Sequence, residues 1–408
     1  MTVGSAKPSI FDAELPELNY DVTDTPQEIY PQFQAAQQVA PIALGPVGPE
    51  VLSYELSRTI LGDPRFGIPP GIHLTAHGVT SGELWDRVVG SILCMEGAQH
   101  RRLRSLVSRA FTPRATARMD ETIHSVINEL TDHVVAEGSC EFVQDIARPY
   151  PIPVICALLG APREDWQLFS KWAEDIFKIV GFDCNLAEEE PKVLAAWDAF
   201  DEYIDQMIAD RRKTLTDDLL SELIRSEDRG DRLDAGEVRM LAFSILVAGT
   251  DTTRTQLAAS MQVLCEHPGQ LTLLRDSPEL GMKAVEETMR HSPSMCSTLR
   301  SVTADVTIGN YTFPAGTFII VNTYAANRDP SIYQNPTRFD ITRRDPPPIL
   351  TFGGGAHYCL GANLARRELS EALKILARRI PFPRCAEKPP WRPLLGMSGP
   401  TRLQLEFD

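Results

Sequence analysis

Ten residues near the C-terminus, Phe352-Gly353-Gly354-Gly355-Ala356-His357-Tyr358-Cys359-Leu360-Gly361, constrain this chain more than any other stretch. They fix one cysteine in a glycine-rich loop that leads directly into an amphipathic helix, Ala362 to Arg379. Glycines let a backbone approach a sulfur closely and aim N–H groups at it, and the positive end of the following helix favours the thiolate. The rest of the fold has to be built around that sulfur. A soft role for a single thiolate suits a cysteine so placed. The competing reading is an inert core thiol, because free cysteine is among the most buried residue types.

Hydrophobic periodicity says what is built around it. Helical spacing predicts short helices over Tyr30 to Val39 and Pro49 to Leu61 around a strand, then a long loop with a single helical turn from Phe66 to Gly90. Further helices follow over Ala98 to Ala110, Ala115 to Glu137, Ile152 to Leu159, Glu164 to Val180, Glu190 to Lys213 and Asp217 to Arg225. A long helix from Ala235 to Glu266 opens on the capping box Asp234-x-x-Glu237 and ends at His267-Pro268. At 1.5 Å per residue it runs roughly 45 Å. Another helix covers Leu280 to His291. Strands are expected over Val302 to Ile308 and Tyr311 to Phe313 around Gly309-Asn310, over Thr317 to Asn322, and in a tail hairpin, Leu394 to Phe407, turning at Ser398-Gly399-Pro400.

No linker, repeat, charge block or low-complexity segment divides the 408 residues, and the 31 prolines are scattered loop punctuation. The expectation is therefore one domain, 1–408, helix-rich with minor β segments near 40–65, 300–325 and 394–407. With 55 acidic against 40 basic residues the formal charge is −15, which argues against nucleic acid as a partner. Residues 1–18 lack the basic-then-apolar pattern of a signal peptide, and the longest apolar run, Met240 to Gly249, is too short to span a bilayer. Eight cysteines without short paired spacings suit reduced thiols in a cytoplasmic protein.

Inside the long helix stands Ala248-Gly249-Thr250-Asp251-Thr252-Thr253. Glycine costs about 1 kcal/mol in a helix interior, and Asp and Thr add several tenths each. Such a local violation in a strong helix marks either function or a polar surface turn. A bulge there would open a groove for small molecules. Glu287 and Arg290 share a helix face at i, i+3, as do the pairs Glu55/Arg58 and Glu222/Arg225. Between Gln99 and Met119 lie Arg101, Arg102, Arg104, Arg109, Arg114 and Arg118 and no acid, either a solvated face or a docking surface for an acidic electron-transfer protein.

The glycine-rich stretch resembles the haem-binding signature of the cytochrome P450 family, Phe-x-x-Gly-x-His-x-Cys-x-Gly. Phe352, Gly355, His357, Cys359 and Gly361 match it, and Ala365 and Arg366 continue it. The hexapeptide at 248–253 is similar to that family's oxygen-activation motif, Ala-Gly-x-Asp-Thr-Thr. The resemblance covers most of the chain, from the Arg-rich helix to the tail. It implies a mainly α protein with a smaller β portion, a triangular helical body with its long central helix over a haem b, and Cys359 as the axial thiolate on the iron. It further implies that Thr252 hydrogen-bonds the dioxygen being split while Asp251 passes protons inward. Ala248, Gly249, Phe352 and Gly361 become cofactor contacts, and His100, Arg104, Arg300 and His357 partners of the haem propionates.

By the same resemblance Glu287 and Arg290 form a buried structural network with Arg338 of Pro336-Thr337-Arg338-Phe339. The substrate pocket draws on the 66–97 loop, the Phe169 to Cys184 region, Leu246, Val247, Met295, Cys296 and Met397. The implied activity is insertion of one atom of O₂ into a hydrophobic small molecule (terpenoid, fatty acid, steroid or aromatic). Electrons come from NAD(P)H through a reductase and a ferredoxin-type carrier, with no membrane anchor and no nucleic acid. Three alternatives stay open: a peroxygenase of the same fold, an atypical oxidase, and a haem-based ligand sensor, which would not need Asp251 and Thr252.

Overall fold

The computed structural model describes residues 7–21, 23–178, 185–227, 233–392, 394 and 396–407. They gather into two compact units. The expected Phe169 to Cys184 pocket region and the end of the Glu164 to Val180 helix run past residue 178, so their last residues lie outside the described ones.

The first unit comprises Met1–Pro69, Glu286–Cys359 and Pro390–Thr401 and holds most of the β structure. Its five-stranded sheet runs in the order Ile42–Gly45, Gly48–Val51, Phe318–Asn322, Ser297–Val302 and Phe66–Gly67. All neighbours are antiparallel except the second and third strands, where Glu50 pairs in parallel with Ile320. That pairing overturns the expected helix from Pro49: residues 48–51 extend along a distant strand, and the helix starts only at Tyr54 and ends at Gly62. Ile42, Val51, Phe66, Val302, Ile319 and Val321 bury one face of the sheet with Phe313, whose ring meets that of Phe66 edge-on at 5.5 Å. Fully burying side chains of this size contributes about 1.5–3 kcal/mol each. Glu50, next to Val51 on the same strand, is also fully buried, hydrogen-bonded by the Tyr20 hydroxyl and by Asn322 Nδ2 at 2.9 Å, and burial raises its carboxyl above the usual range. A two-stranded hairpin, Val306–Ile308 with Tyr311–Phe313, turns at Gly309 (φ 60°) as its Gly-Asn pair predicts.

The second unit comprises Pro70–Val285, Leu360–Pro389 and Arg402–Asp408. The 66–90 stretch carries more order than expected: beyond the Phe66–Gly67 strand it forms helices Ile72–Ala76 and Glu83–Val89. The helix Ala235–Glu266 has the expected bounds, because both halves of its capping box form: Asp234 accepts from the Glu237 N–H at 2.8 Å, and the Asp234 N–H donates to Glu237. It is buried on nearly every side, so helices Pro151–Leu159, Leu186–Lys213 and Ala362–Arg379 all pack on it. The rings of Trp197 and Phe243 stack at 3.6 Å where Leu186–Lys213 meets it. A π-helical turn, Val143–Ala147, also lies against it, and the Arg148 N–H reaches back to the Val143 carbonyl at 2.8 Å.

The tail is not the expected self-paired hairpin. Strand Gln404–Glu406 lies between Ser139–Glu141 and Arg384–Cys385, while Trp391 lies opposite Pro400 in an isolated antiparallel bridge. No helix among the described residues is long and apolar enough to cross a membrane.

Candidate active site

In the first unit the glycine-rich loop folds tightly around its cysteine. The Cys359 N–H donates to the Phe352 carbonyl at 2.8 Å, closing the loop on itself. Gly353 and Gly355 sit at φ 71° and 62°, where a side chain is strained. A Cβ at Gly355 would strike the Leu61 carbonyl oxygen, and one at Gly354 would come within 2.9 Å of Leu61 Cβ. The loop therefore lies flat on the end of helix Tyr54–Gly62, Phe352 is buried beneath it, and Cys359 stands exposed. Cys140, Cys156 and Cys296 are buried, and burial pushes each thiol up to about 12, so none is a thiolate at neutral pH.

The Glu287 cluster is present, with one partner exchanged. Glu287 accepts from Arg290 Nε at 2.7 Å and Nη2 at 2.8 Å, and from the Asp340 N–H at 2.9 Å. Its remaining cation is Arg343, whose Nε lies 3.0 and 3.1 Å from the two carboxylate oxygens. Arg338 was the expected third member. Its side chain is 66% exposed and faces Asp340, and only its carbonyl takes part, accepting from Arg290 and Arg343. The guanidinium that reaches Glu287 is that of Arg343, five residues after Arg338.

Arg300 is buried on strand Ser297–Val302, donating to Thr298 Oγ1 at 3.0 Å and the Leu299 carbonyl at 2.8 Å. Met295 and Met397 face each other across an isolated antiparallel bridge, both half-buried. Cys296, expected at the pocket, is fully buried. It belongs to a packed cluster with Phe33, Leu52 and Tyr324, and its thiol donates to the Pro293 carbonyl at 3.3 Å.

In the second unit the hexapeptide stays within an uninterrupted α-helix, so the expected bulge is absent. The Thr250 hydroxyl donates to the Leu246 carbonyl at 2.6 Å and that of Thr252 to the Ala248 carbonyl at 2.8 Å, bonds that hold polar side chains inside a helix without breaking it. Gly249 answers to packing: a Cβ there would lie 2.6 Å from Ile155 Cδ1. Ala248 is exposed and Gly249 and Thr252 half-exposed on a helix whose other mid-length residues are mostly buried. They form one stripe at i, i+1, i+4. Val247 borders it. Leu246 is wholly buried on another side and offers no surface to a ligand, contrary to expectation.

Asp251 is 1% exposed and ion-paired with Arg254 one turn on, a partner that sequence reading missed although the i, i+3 spacing signalled it. Arg148 also feels the Asp251 charge, while hydrogen-bonding Glu174 at 2.9 Å; both influences, Glu174 the larger, hold its guanidinium firmly protonated. His100 and Arg104 stand one turn apart on helix Gly97–Val107, the histidine buried and the arginine half-buried. Of the six arginines, Arg102 is paired with Glu237 and Arg118 with Asp217, while Arg101, Arg109 and Arg114 are exposed.

These features point to known proteins. A model of the cytochrome P450 family matches residues 86–276 and 279–405. The chain belongs to the cytochrome P450 family. Among curated P450 relatives it is 34% identical to luteothin monooxygenase of Streptomyces thioluteus, covering 92% of each chain, and 31% identical to the biotin biosynthesis cytochrome P450 of Bacillus subtilis (strain 168), over the whole of both. Its fold matches the crystal structure of CalO2 with a TM-score of 0.88 at 31% identity, covering 96% of this chain and 99% of that one. It likewise matches P450BioI in complex with a hexadec-9Z-enoic acid-ligated acyl carrier protein, with a TM-score of 0.84 over 94% and 99%.

The protein is thus a haem-thiolate oxidoreductase, a cytochrome P450 monooxygenase that binds haem with its iron. The residues present fit that cofactor. An exposed cysteine rests on a cradle that admits no Cβ at Gly355, and a stripe of small residues is left uncovered on an otherwise buried helix.

Proposed function

We propose that Cys359 is the thiolate that holds the haem iron, with His100, Arg104, Arg300 and His357 as the propionate partners. The observation that carries this is the exposure of Cys359 on its closed glycine loop, while Cys140, Cys156 and Cys296 are buried and burial pushes their thiols up to about 12. Bound haem supplies the redox centre at which O₂ is split, one atom entering the substrate and the other leaving as water. The Thr252 hydroxyl, parked on the Ala248 carbonyl, is the group that turns to donate a hydrogen bond. The buried Asp251 carboxylate, held by Arg254, is the group that passes protons inward.

The substrate is a hydrophobic small molecule such as a terpenoid, fatty acid, steroid or aromatic, met by Val247, Met295 and Met397. Electrons arrive from NAD(P)H through a reductase and an acidic ferredoxin-type carrier, whose docking uses the exposed Arg109 and Arg114. The protein works in the cytoplasm. Relatives named for luteothin, for mycinamicin IV hydroxylation and epoxidation, and for biotin biosynthesis support oxygenation of diverse small molecules.

The test is the Cys359→Ser variant, read by the Soret band of the reduced carbon-monoxide complex. The strongly red-shifted band should vanish together with turnover. A serine variant that keeps it would move the thiolate to another cysteine. Thr252→Ala should keep haem and ligand binding while diverting reducing equivalents to hydrogen peroxide, and unchanged product per NADH would remove Thr252 from its role.

A further inference from the structure

Two thiols of the second unit touch although 120 positions of sequence separate them. Cys265 stands in the last turn of helix Ala235–Glu266, and Cys385 ends strand Arg384–Cys385, which that helix packs against. Their side chains are hydrogen-bonded to each other, and both are partly exposed. Cys140 lies on the far side of the same small sheet, where Leu405 pairs with Cys140 on one edge and Cys385 on the other. Nothing in the sequence spacing announces the pair; the fold makes it.

We propose that Cys265 and Cys385 are a peroxide-oxidisable dithiol, a modification site that takes up an intramolecular disulfide. Cys385 is the attacking sulfur. The hydrogen bond from Cys265 holds the Cys385 thiol below its ordinary value, and the same bond, with burial, raises that of Cys265. The neighbouring Glu266 carboxylate opposes ionisation of both, which leaves the hydrogen bond as the feature that favours one thiolate over the other.

The oxidant is hydrogen peroxide. The Cys385 thiolate attacks one peroxide oxygen, the O–O bond breaks, and the departing hydroxide takes a proton to leave as water, giving a sulfenic acid. The Cys265 sulfur then attacks the Cys385 sulfur. The S–O bond breaks, and the leaving hydroxide takes the Cys265 proton as a second water. Two thiols give two electrons to one peroxide, and one disulfide and two waters result. The new bond ties the end of the helix that bears Asp251 and Thr252 to the three-stranded sheet.

The experiment treats the haem-loaded, full-length protein with hydrogen peroxide, alkylates remaining thiols and maps tryptic peptides. Cleavage after Arg254, Arg275, Arg384 and Arg402 gives peptides 255–275 and 385–402, each with a single cysteine. The expected product joins these two, lighter by two hydrogens, and separates on treatment with dithiothreitol. Cys385→Ser should slow peroxide-driven loss of the Cys265 thiol by about tenfold or more, because the attacking thiolate is gone. Cys265→Ser should leave Cys385 as a sulfenic acid that dimedone traps. Wild-type protein in which Cys385 advances to sulfinic acid with no joined peptide, or in which Cys265 pairs with a different cysteine, would overturn the proposal.

Discussion

Arg343 closes the ion cluster on Glu287, with Nε 3.0 Å from one carboxylate oxygen and 3.1 Å from the other, while the largely exposed Arg338 guanidinium pairs with Asp340 instead. Glu287 is 4% exposed and Arg290 1%, so neither charge has water to fall back on. Removing one partner of such a buried cluster costs about 3–5 kcal/mol, whereas exposed pairs contribute about 0–1 kcal/mol. Arg343→Ala should therefore lower the denaturant midpoint of unfolding sharply, and Arg338→Ala should barely move it. Equal losses in the two variants would contradict the geometry.

Arg254 holds the buried Asp251 carboxylate, so its effect should appear in proton delivery before it appears in haem content. Arg254→Ala should slow turnover by about tenfold or more with substrate-induced spectral changes intact, and Arg254→Lys should recover part of the rate. A larger solvent deuterium isotope effect on turnover in the alanine variant is the discriminating measurement. An unchanged isotope effect would leave Arg254 a purely structural neighbour.

Gly249 offers a sign reversal. An alanine in a helix interior gains about 1 kcal/mol over glycine, but its Cβ would meet Ile155 Cδ1 at 2.6 Å, and overpacking costs about 1–3 kcal/mol. Gly249→Ala should thus be neutral to destabilising in the native background. With Ile155→Val, which removes that Cδ1, the same substitution should become stabilising. Thermal melting of the two single variants and the double variant closes the cycle.

Glu368, on helix Ala362–Arg379, is buried, one of its carboxyl oxygens lacks a hydrogen-bond partner, and burial pushes its carboxyl up to about 8 from the usual 4.5. The folded protein keeps a proton that the unfolded chain releases. Its contribution is therefore complete below about 4.5 and is lost as pH rises through about 8. The slope in that window is up to about 1.4 kcal/mol per pH unit. Glu368→Gln should flatten that stretch of the stability–pH curve and be the more stable form at pH 9. Parallel curves for the two proteins would mean that the carboxyl titrates normally.

Where structure follows local chemistry, the sequence was readable. The Asp234/Glu237 capping box and His267-Pro268 bound the long helix correctly, and the Gly309-Asn310 turn located its hairpin. Non-local pairing defeated local reading. Residues 48–51 have a helical pattern but extend because Ile320 and Val321 lie beside them, and the C-terminal strand finds partners at Ser139–Glu141 and Arg384–Cys385 rather than in its own tail. At the candidate site the residue types were legible and their directions were not. Arg338 and Arg343 stand five residues apart with the same side chain, yet only Arg343 meets Glu287, and Cys296 is buried in a packed cluster while its neighbour Met295 is half-buried.

The small sheet around Gln404–Glu406 also governs how the polypeptide matures. Glu141 accepts a hydrogen bond from the Leu403 N–H across 262 positions of sequence, so the strand at 139–141 leaves the ribosome long before its neighbour exists. At about 5–20 residues per second that delay is roughly tens of seconds. During it, the backbone groups of Ser139–Glu141 that the last strand will cover stay open to other chains. Closure of the helical unit therefore waits for residues 404–406, and a nascent chain stalled between residues 385 and 404 displays two strand edges that await the same neighbour.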